Sequence, residues 1–369
     1  MPAARLGVLL CSCFLVSFLL KALHAQQADA GAGADVEVEV DEQILARTKA
    51  GFALVDARSG HSRQLRQPKG SVSRAVHLSQ TGDIAYARFH AGRREVVVHD
   101  KRGQPFALGP NHGHDHIWEM GWSHNGNWLA YRIDGHALGK GSVHLLSRDG
   151  ATARSLTPAG QHDGTFDWAP DGLHLAVAAT TSSEIKRYAS GIWVERTSAI
   201  DVLDAATGTR QRLAAFAFEI DEMAWSPDGI EIAVLDGGGR LYRISRTAPP
   251  RAREGPVDRD RALAKGFAHG HKPRWSRNGN ETLMLRHRKT GGSQLVVVDR
   301  DGQSAWSHDA AAEAKGKVTA YDWSADSQRI VFATSSGELY ILERQTHAVR
   351  NLGSIDSPTS LAMTGSTRR

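Results

Sequence analysis

A propeller of four-stranded β-blades is the fold class this all-β sequence predicts, and three observations predict it. A tryptophan-centred block recurs as Trp122-Ser-His-Asn-Gly126, Trp168-Ala-Pro-Asp-Gly172, Trp225-Ser-Pro-Asp-Gly229, Trp275-Ser-Arg-Asn-Gly279 and Trp323-Ser-Ala-Asp-Ser327, with a degenerate earlier copy over Leu78 to Gly82. The steps between copies are 44, 46, 57, 50 and 48 residues, the period of a propeller or solenoid. A second turn series, seen at Asp56 to Gly60, Asp100 to Gly103, Arg148 to Gly150, Asp204 to Gly208 and Asp299 to Gly302, adds another hairpin to each period and makes the unit four-stranded.

Each block is followed by a short apolar run, such as Leu129 to Tyr131, Ile232 to Val234 or Ile330 to Phe332, and preceded by another. The unit therefore reads strand, tight turn, strand, with Pro, Asp and Gly where a type I turn accepts them. One Trp and one Asp per period is what packing between blades and a recurring turn require, so both are read as structural. Seven blades are expected, with six as the alternative, because the mean step is 49 residues. A hairpin from Phe52 to Leu65 precedes the first block, and Ser357 to Met363 supplies a late strand without its turn. The two ends are expected to share a blade.

The block resembles the WD40-like repeat (PD40) of the Tol-Pal protein TolB and its relatives, close to Trp-Ser-Pro-Asp-Gly followed by an apolar strand. Trp225 to Gly229 matches it fully, and the resemblance spans most of residues 70 to 345. It implies the fold and leaves function open, since the repeat serves binding proteins, peptidase gates and lyases. TolB itself carries an α/β domain ahead of its propeller, for which this sequence leaves no room, so a TolB-like chain other than TolB is expected.

Residues 1–25 read as a signal peptide, with Arg5, an apolar core from Leu6 to Leu20 and a small-residue end at Ala25. That core is short for a spanning helix, so a periplasmic or secreted protein without a transmembrane span is expected. Residues 26–41 form an acidic linker and 42–369 the propeller. Both cysteines, Cys11 and Cys13, lie in the leader, which leaves the mature chain no disulfide and no thiol nucleophile. Losing Arg5 and Lys21 lowers the formal charge from +5 to +3, too mild a balance to imply nucleic acid. A monomer is expected.

Segments leading into the innermost strands surround one mouth of a propeller's channel. The position six residues before each block reads Val72, His116, His162, Glu219, His269 and Lys317. His116, His162, Glu219 and His269 are therefore candidate ligands for a divalent ion, since imidazole and carboxylate suit Mn, Zn or Fe. The bland alternative is that these side chains simply hydrogen-bond at a wet channel mouth. His112, His114, Arg93, Arg94, His287 and Arg288 are candidate ligand-binding residues on the same face, where basic loops would focus anions. Two stretches that break the period, Thr181 to Ile200 and Arg246 to Gly266, are expected to be loops over this face.

Non-catalytic binding of an anionic saccharide or an envelope protein at the His-rich mouth is the expected function, because the repeat explains most features. A scaffold indifferent to metal is one alternative. The other is a metal-dependent lyase on uronate oligosaccharides, similar in outline to oligogalacturonate lyase. In that case His271 or Lys317 would be the base and Arg74 would meet the substrate carboxylate.

Overall fold

The computed structural model describes residues 43–354 and 361–364, with Val8–Leu9, apart from short stretches at 49–50, 58, 65–70, 80–81, 101–103, 111, 113–115, 135–140, 158–161, 189–190, 248–255, 289–291, 311–315 and 325. The predicted leader and linker thus lie outside the described residues, Val8–Leu9 excepted.

The chain is built from antiparallel sheets, with helix confined among the described residues to a few residues of 3-10 turn, chiefly Arg259–Arg261. Sheet 1 contains β1 (Val8–Leu9), β2 (Gln43–Thr48), β3 (Gly51–Asp56) and β4 (Ser62–Gln64). Six four-stranded sheets follow. Sheet 2 is β5 (Ser71–Leu78), β6 (Ile84–His90), β7 (Arg93–His99) and β8 (Pro105–Leu108). Sheet 3 is β9 (His116–Trp122), β10 (Trp128–Asp134), β11 (Gly141–Ser147) and β12 (Ala153–Ser155). Sheet 4 is β13 (His162–Trp168), β14 (His174–Tyr188), β15 (Gly191–Asp204) and β16 (Arg210–Phe216). Sheet 5 is β17 (Ile220–Trp225), β18 (Glu231–Asp236), β19 (Arg240–Ser245) and β20 (Ala264–Lys265). Sheet 6 is β21 (Arg274–Trp275), β22 (Thr282–His287), β23 (Ser293–Val298) and β24 (Ser304–Asp309). Sheet 7 is β25 (Val318–Trp323), β26 (Arg329–Thr334), β27 (Glu338–Glu343) and β28 (Val349–Ser354), and the last strand, β29 (Leu361–Thr364), pairs with β2 of sheet 1.

First strands pack side by side in chain order from β5 to β25 and then β29, so successive sheets stack face to face. The repeated block explains the stacking. Trp122, Trp168, Trp225 and Trp323 are buried, while Trp275 is half-buried beneath the guanidinium of Arg243 at 4.7 Å. The Trp168 indole donates to the Gly121 carbonyl of the preceding sheet at 2.8 Å, and Trp275 and Trp323 repeat the bond to Ala224 and Arg274 at 3.0 Å. Trp225 departs from this rule, its indole N–H having no acceptor among the described residues.

The other block residues build the turn itself. Ser226 Oγ donates to Asp228 Oδ1 and accepts from the Glu231 amide at 2.9 Å, the Gly229 amide donates to the Ser226 carbonyl at 2.9 Å, and Ser276 with Asn278 repeats the scheme. Side-chain oxygens thereby replace partners that a tight turn denies its backbone. Gly172 fills a position with φ of +68°, where a Cβ would meet Asn125 of the neighbouring turn at 2.8 Å. Arginines after the third strands tie each turn to the previous sheet: Arg148 reaches Asp83 at 2.6 Å, Arg300 reaches Asp228 at 3.2 Å, and Arg344 grips both oxygens of Glu281.

One regularity was absent from the sequence reading. The inner strands of sheets 2, 3, 4, 5 and 7 each shift register between two and six residues before the block's first position, as a β-bulge does. Of the two stretches expected as loops over the mouth, the first is β-structure instead, and the second is mostly irregular where it is described. Thr181 to Ile200 continues β14 and β15 into one long hairpin paired from His174–Asp204 to Tyr188–Gly191, and the described part of Arg246 to Gly266 bridges Val257 to Phe216 and supplies the outer strand β20. Backbone groups in the first stretch are satisfied by pairing within the extended hairpin, which an unpaired loop would have left to water.

Candidate functional site

Antiparallel pairing puts the starts of the inner strands at the same end of the molecule as the hairpins joining second and third strands. The seams show it directly. The Val318 amide donates to Ser293 Oγ at 3.1 Å, the Ile220 amide to Ser198 Oγ at 3.2 Å, and the His112 amide to the Arg94 carbonyl at 2.9 Å. This end is the predicted mouth.

Around sheets 5 to 7 the mouth gathers His269, His271, His287, Lys317 and Asp221. The His271 and His287 rings lie 5.9 Å apart, and His271 stacks on Tyr321 at 6.1 Å. Asp221 Oδ2 accepts the Gly270 amide at 2.5 Å, which fixes the turn carrying His269 and His271. Burial, then the charge of His287 and His269, pushes the His271 imidazole down to about 4, so the ring is neutral at neutral pH. Burial also lowers His287, with Lys317 and His269 adding to the effect, while burial raises Asp221. A second aromatic group lies around sheet 3, where His112 Nε2 meets the Tyr131 hydroxyl at 3.1 Å and His144 stacks on Tyr131 at 5.5 Å. Burial, helped by His112, pushes His144 down to about 4.

His116 opens β9 and is exposed, as are His269 and Lys317. His162 opens β13, but its side chain lies outside the described residues, as do those of Arg74 and Val72 and all of His114. Glu219 is exposed and both its oxygens accept from Arg196, at 2.9 and 3.1 Å. Arg93 is exposed, Arg94 lies over the Phe89 ring at 5.6 Å, and Arg288 pairs with Asp309 at 2.6 Å. Among the described residues no three His, Cys, Asp or Glu side chains form a cradle for a metal ion.

The sequence reading missed a buried charged cluster deeper between the inner strands. The side chain of Lys272, with no exposure, donates to the Phe166 carbonyl and to Asp167 Oδ1, both at 3.0 Å, and lies 3.9 Å from Glu119. Thr165 Oγ1 is 3.2 Å from Glu119 and 3.3 Å from Glu222, while Asp167 Oδ2 takes the Trp225 amide at 2.7 Å. One ammonium thus ties together sheets 3, 4 and 6. Burial pushes the Glu119 carboxyl up to about 7 against the pull of Lys272, with Glu222 adding to the rise. Burial does the same to Asp322, up to about 7, with Arg274 opposing, and its Oδ2 has no hydrogen-bond partner among the described residues. The missed signal was polar residues three positions or one position before the Trp, namely Glu119, Thr165 and Asp167, Glu222, Lys272 and Arg274, and Asp322.

The raised Asp322 predicts a pH dependence. A carboxyl whose folded pKa exceeds its unfolded value of about 3.9 binds its proton more tightly when folded. Its contribution is complete below that value and is lost as pH rises through about 7. Asp322→Asn is therefore expected to be more stable than the parent at pH 8, by on the order of 1 to 3 kcal/mol, with the advantage gone at pH 4. Urea midpoints at the two pH values measure this, and equal differences at both would contradict it.

A cleft of about 630 Å³ opens at the opposite, turn end, lined by Asp100, Phe106, Asn127, Trp128, Ser147, Arg148 and Asp149, and none of the predicted site residues contributes to it.

No protein-family model and no curated protein matches the chain. Among solved structures, oligogalacturonate lyase in complex with manganese is similar at a TM-score of 0.58 and 14% identity, over 82% of this chain and 83% of that one. A chain of the mitotic checkpoint complex is similar at 0.54 and 15%, over 92% and 90%. The fold is a WD40-like β-propeller. These likenesses carry the fold and nothing more.

Proposed function

We propose that this chain is an exported β-propeller of the TolB-like repeat type, seven-bladed and closed on itself, that binds an anionic saccharide or an envelope protein at its His-rich mouth without turning it over. Support for closure is the pairing of β29 with β2, together with the bond from Arg350 to the Ala57 carbonyl at 2.8 Å across sheets 7 and 1. The observation that carries the binding reading is the gathering of His269, His271, His287 and Lys317 at one mouth, with burial lowering both His271 and His287. Neutral imidazoles each offer one donor and one acceptor, while the exposed Lys317 supplies a cation. A polar ligand carrying a carboxylate answers that set. Calorimetric titration of the untagged chain with oligogalacturonate is expected to show binding that weakens on the order of tenfold in Lys317→Ala. Unchanged affinity in that variant and in His271→Ala would remove the mouth from the account.

A lyase is the second reading, favoured by the shared fold and by His271, whose unprotonated ring is the form a general base requires. In it His116, His162, Glu219 and His269 would hold Mn, Zn or Fe, His271 or Lys317 would take the proton, and Arg74 would meet the uronate. The described residues do not fit that ion, because Glu219 is committed to Arg196 and no three-residue cradle forms among them. No catalytic step is derived through it.

A further inference from the structure

The cleft at the turn end, between sheets 2 and 3, carries two aromatic rings that the repeat itself does not call for. Trp128 opens β10, and its carbonyl accepts the amide of the block's second residue at 2.8 Å. The residues that do the same in the other copies are Asp83, His174, Glu231, Glu281 and Arg329, at 2.8 to 2.9 Å. Every other copy thus places an ionisable side chain where this one places a partly exposed indole.

Phe106 is the second ring. Val98 pairs with Ala107 and His99 with Pro105, so Phe106 is the extra residue of a bulge in β8. Its side chain is 41% exposed. Sheet 6 has the same bulge, with Val297 pairing to Trp306 and Val298 to Ser304, and there the extra residue is Ala305. A bulge re-aims one side chain out of the ladder, and in sheet 2 it presents a large apolar ring to the cleft.

The polar lining decides what charge a ligand there can carry. Asp149 accepts the Ser147 hydroxyl at 2.6 Å and the Ala151 amide at 2.9 Å, both on Oδ1. Those bonds, the hydroxyl's first, hold its carboxyl below the usual carboxylate range, so with Asp100 it repels an anion. A cation finds the face of Phe106 already occupied by the Arg148 guanidinium at 5.7 Å, and Arg154 lies over Trp128 at 6.0 Å. The charge of Arg148 is met in turn by Asp83 at 2.6 Å. A neutral ligand rich in hydroxyls is what remains. Asp149 Oδ2 can accept from it, the exposed Asn127 amide can donate and accept, and the half-exposed Arg148 can donate. The apolar C–H face of a pyranose ring suits the electron-rich face of an aromatic ring, while its rim of hydroxyls suits the polar groups. We propose that this cleft binds a neutral saccharide, with pyranose rings lying against Phe106 and Trp128. Its volume of about 630 Å³ falls within the range of ligand pockets, about 300 to 1,000 Å³. The site is separate from the His-rich mouth and does not depend on the function proposed there.

The test is calorimetric titration of the full chain with cellohexaose, maltohexaose, mannohexaose and N-acetylchitohexaose, each to about 10 mM, and with hexa-arginine as a cationic probe. Tryptophan fluorescence is followed in parallel. Phe106→Ala and Trp128→Glu install the residue types that sheet 6 carries at the same places, and Asn127→Ala alters an exposed side chain, with circular dichroism checking that each variant folds. The expected result is saturable binding of at least one of the neutral oligosaccharides. Its affinity should fall about tenfold or more in Phe106→Ala and Trp128→Glu and severalfold in Asn127→Ala, with a fluorescence response that Trp128→Glu diminishes. Binding of none of the four, or parental affinity in folded Phe106→Ala and Asn127→Ala, would overturn the proposal. So would hexa-arginine binding that these variants abolish in the absence of any oligosaccharide binding.

Discussion

Replacing Trp168 with alanine is expected to destabilise the protein by about 3 to 5 kcal/mol, one of the largest effects of any substitution in the repeated block. The side chain is fully buried between sheets 3 and 4, and its indole supplies the bond to the Gly121 carbonyl at 2.8 Å. Truncation opens a cavity and strips that carbonyl of its partner. Trp225 separates the two contributions. It is also buried, so Trp225→Ala should cost a similar amount, but its indole has no acceptor among the described residues. Trp168→Phe should therefore cost about 1 to 3 kcal/mol more than Trp225→Phe, the range for leaving a buried polar group unpaired. Denaturant midpoints of the four variants decide it, and equal losses for the two phenylalanine variants would mean the bond contributes nothing.

The second large effect is expected at Lys272. Its ammonium is bonded to Phe166 and Asp167 and lies near Glu119, with no exposed side-chain surface. Lys272→Met keeps the approximate shape and leaves buried carboxylates without their counter-charge, which costs about 3 to 5 kcal/mol for pairs of this kind. The loss should be greatest above pH 7, where Glu119 is ionised, and smaller at pH 5, where it holds its proton. Adding Asp167→Asn should recover part of the loss, because a neutral amide no longer demands a cation. Thermal or urea unfolding of the single and double variants at both pH values measures this coupling. An equal loss at pH 5 and pH 8, with no recovery in the double variant, would show that the side chain fills space only.

The fold was legible because the bonds that build each repeat are local. Ser226, Asp228 and Gly229 close their turn within five residues of Trp225, so spacing and residue type carry the information. The late strand around Met363, which lacked a turn of its own, was equally readable as a strand to be shared with the N-terminal hairpin.

The site was less legible, and the register shifts explain much of why. Counting back six residues from the tryptophan crosses the bulge on the inner strands of sheets 3, 4, 5 and 7, where one extra residue reverses which face a side chain takes. Of the residues so counted, His269 and Lys317 lie with the mouth cluster and Glu219 accepts from Arg196, while the His162 side chain lies outside the described residues. Lys272 escaped notice because its partners lie 106 and 105 residues away in sequence. The long β14–β15 hairpin was misjudged because its polar sequence reads as a loop, although the pairing ladder satisfies its backbone.

The most direct measurement for the central claim, binding at the mouth without turnover, is to incubate the protein with polygalacturonate, alginate and a glycosaminoglycan. Unsaturated uronate product is followed by absorbance, with and without Mn²⁺ and with and without chelator, while binding of the same polymers is measured in parallel. The account predicts binding that depends on Lys317 and no unsaturated product in any arm. Chelator-sensitive product formation that His162→Ala abolishes would contradict it and establish the lyase reading.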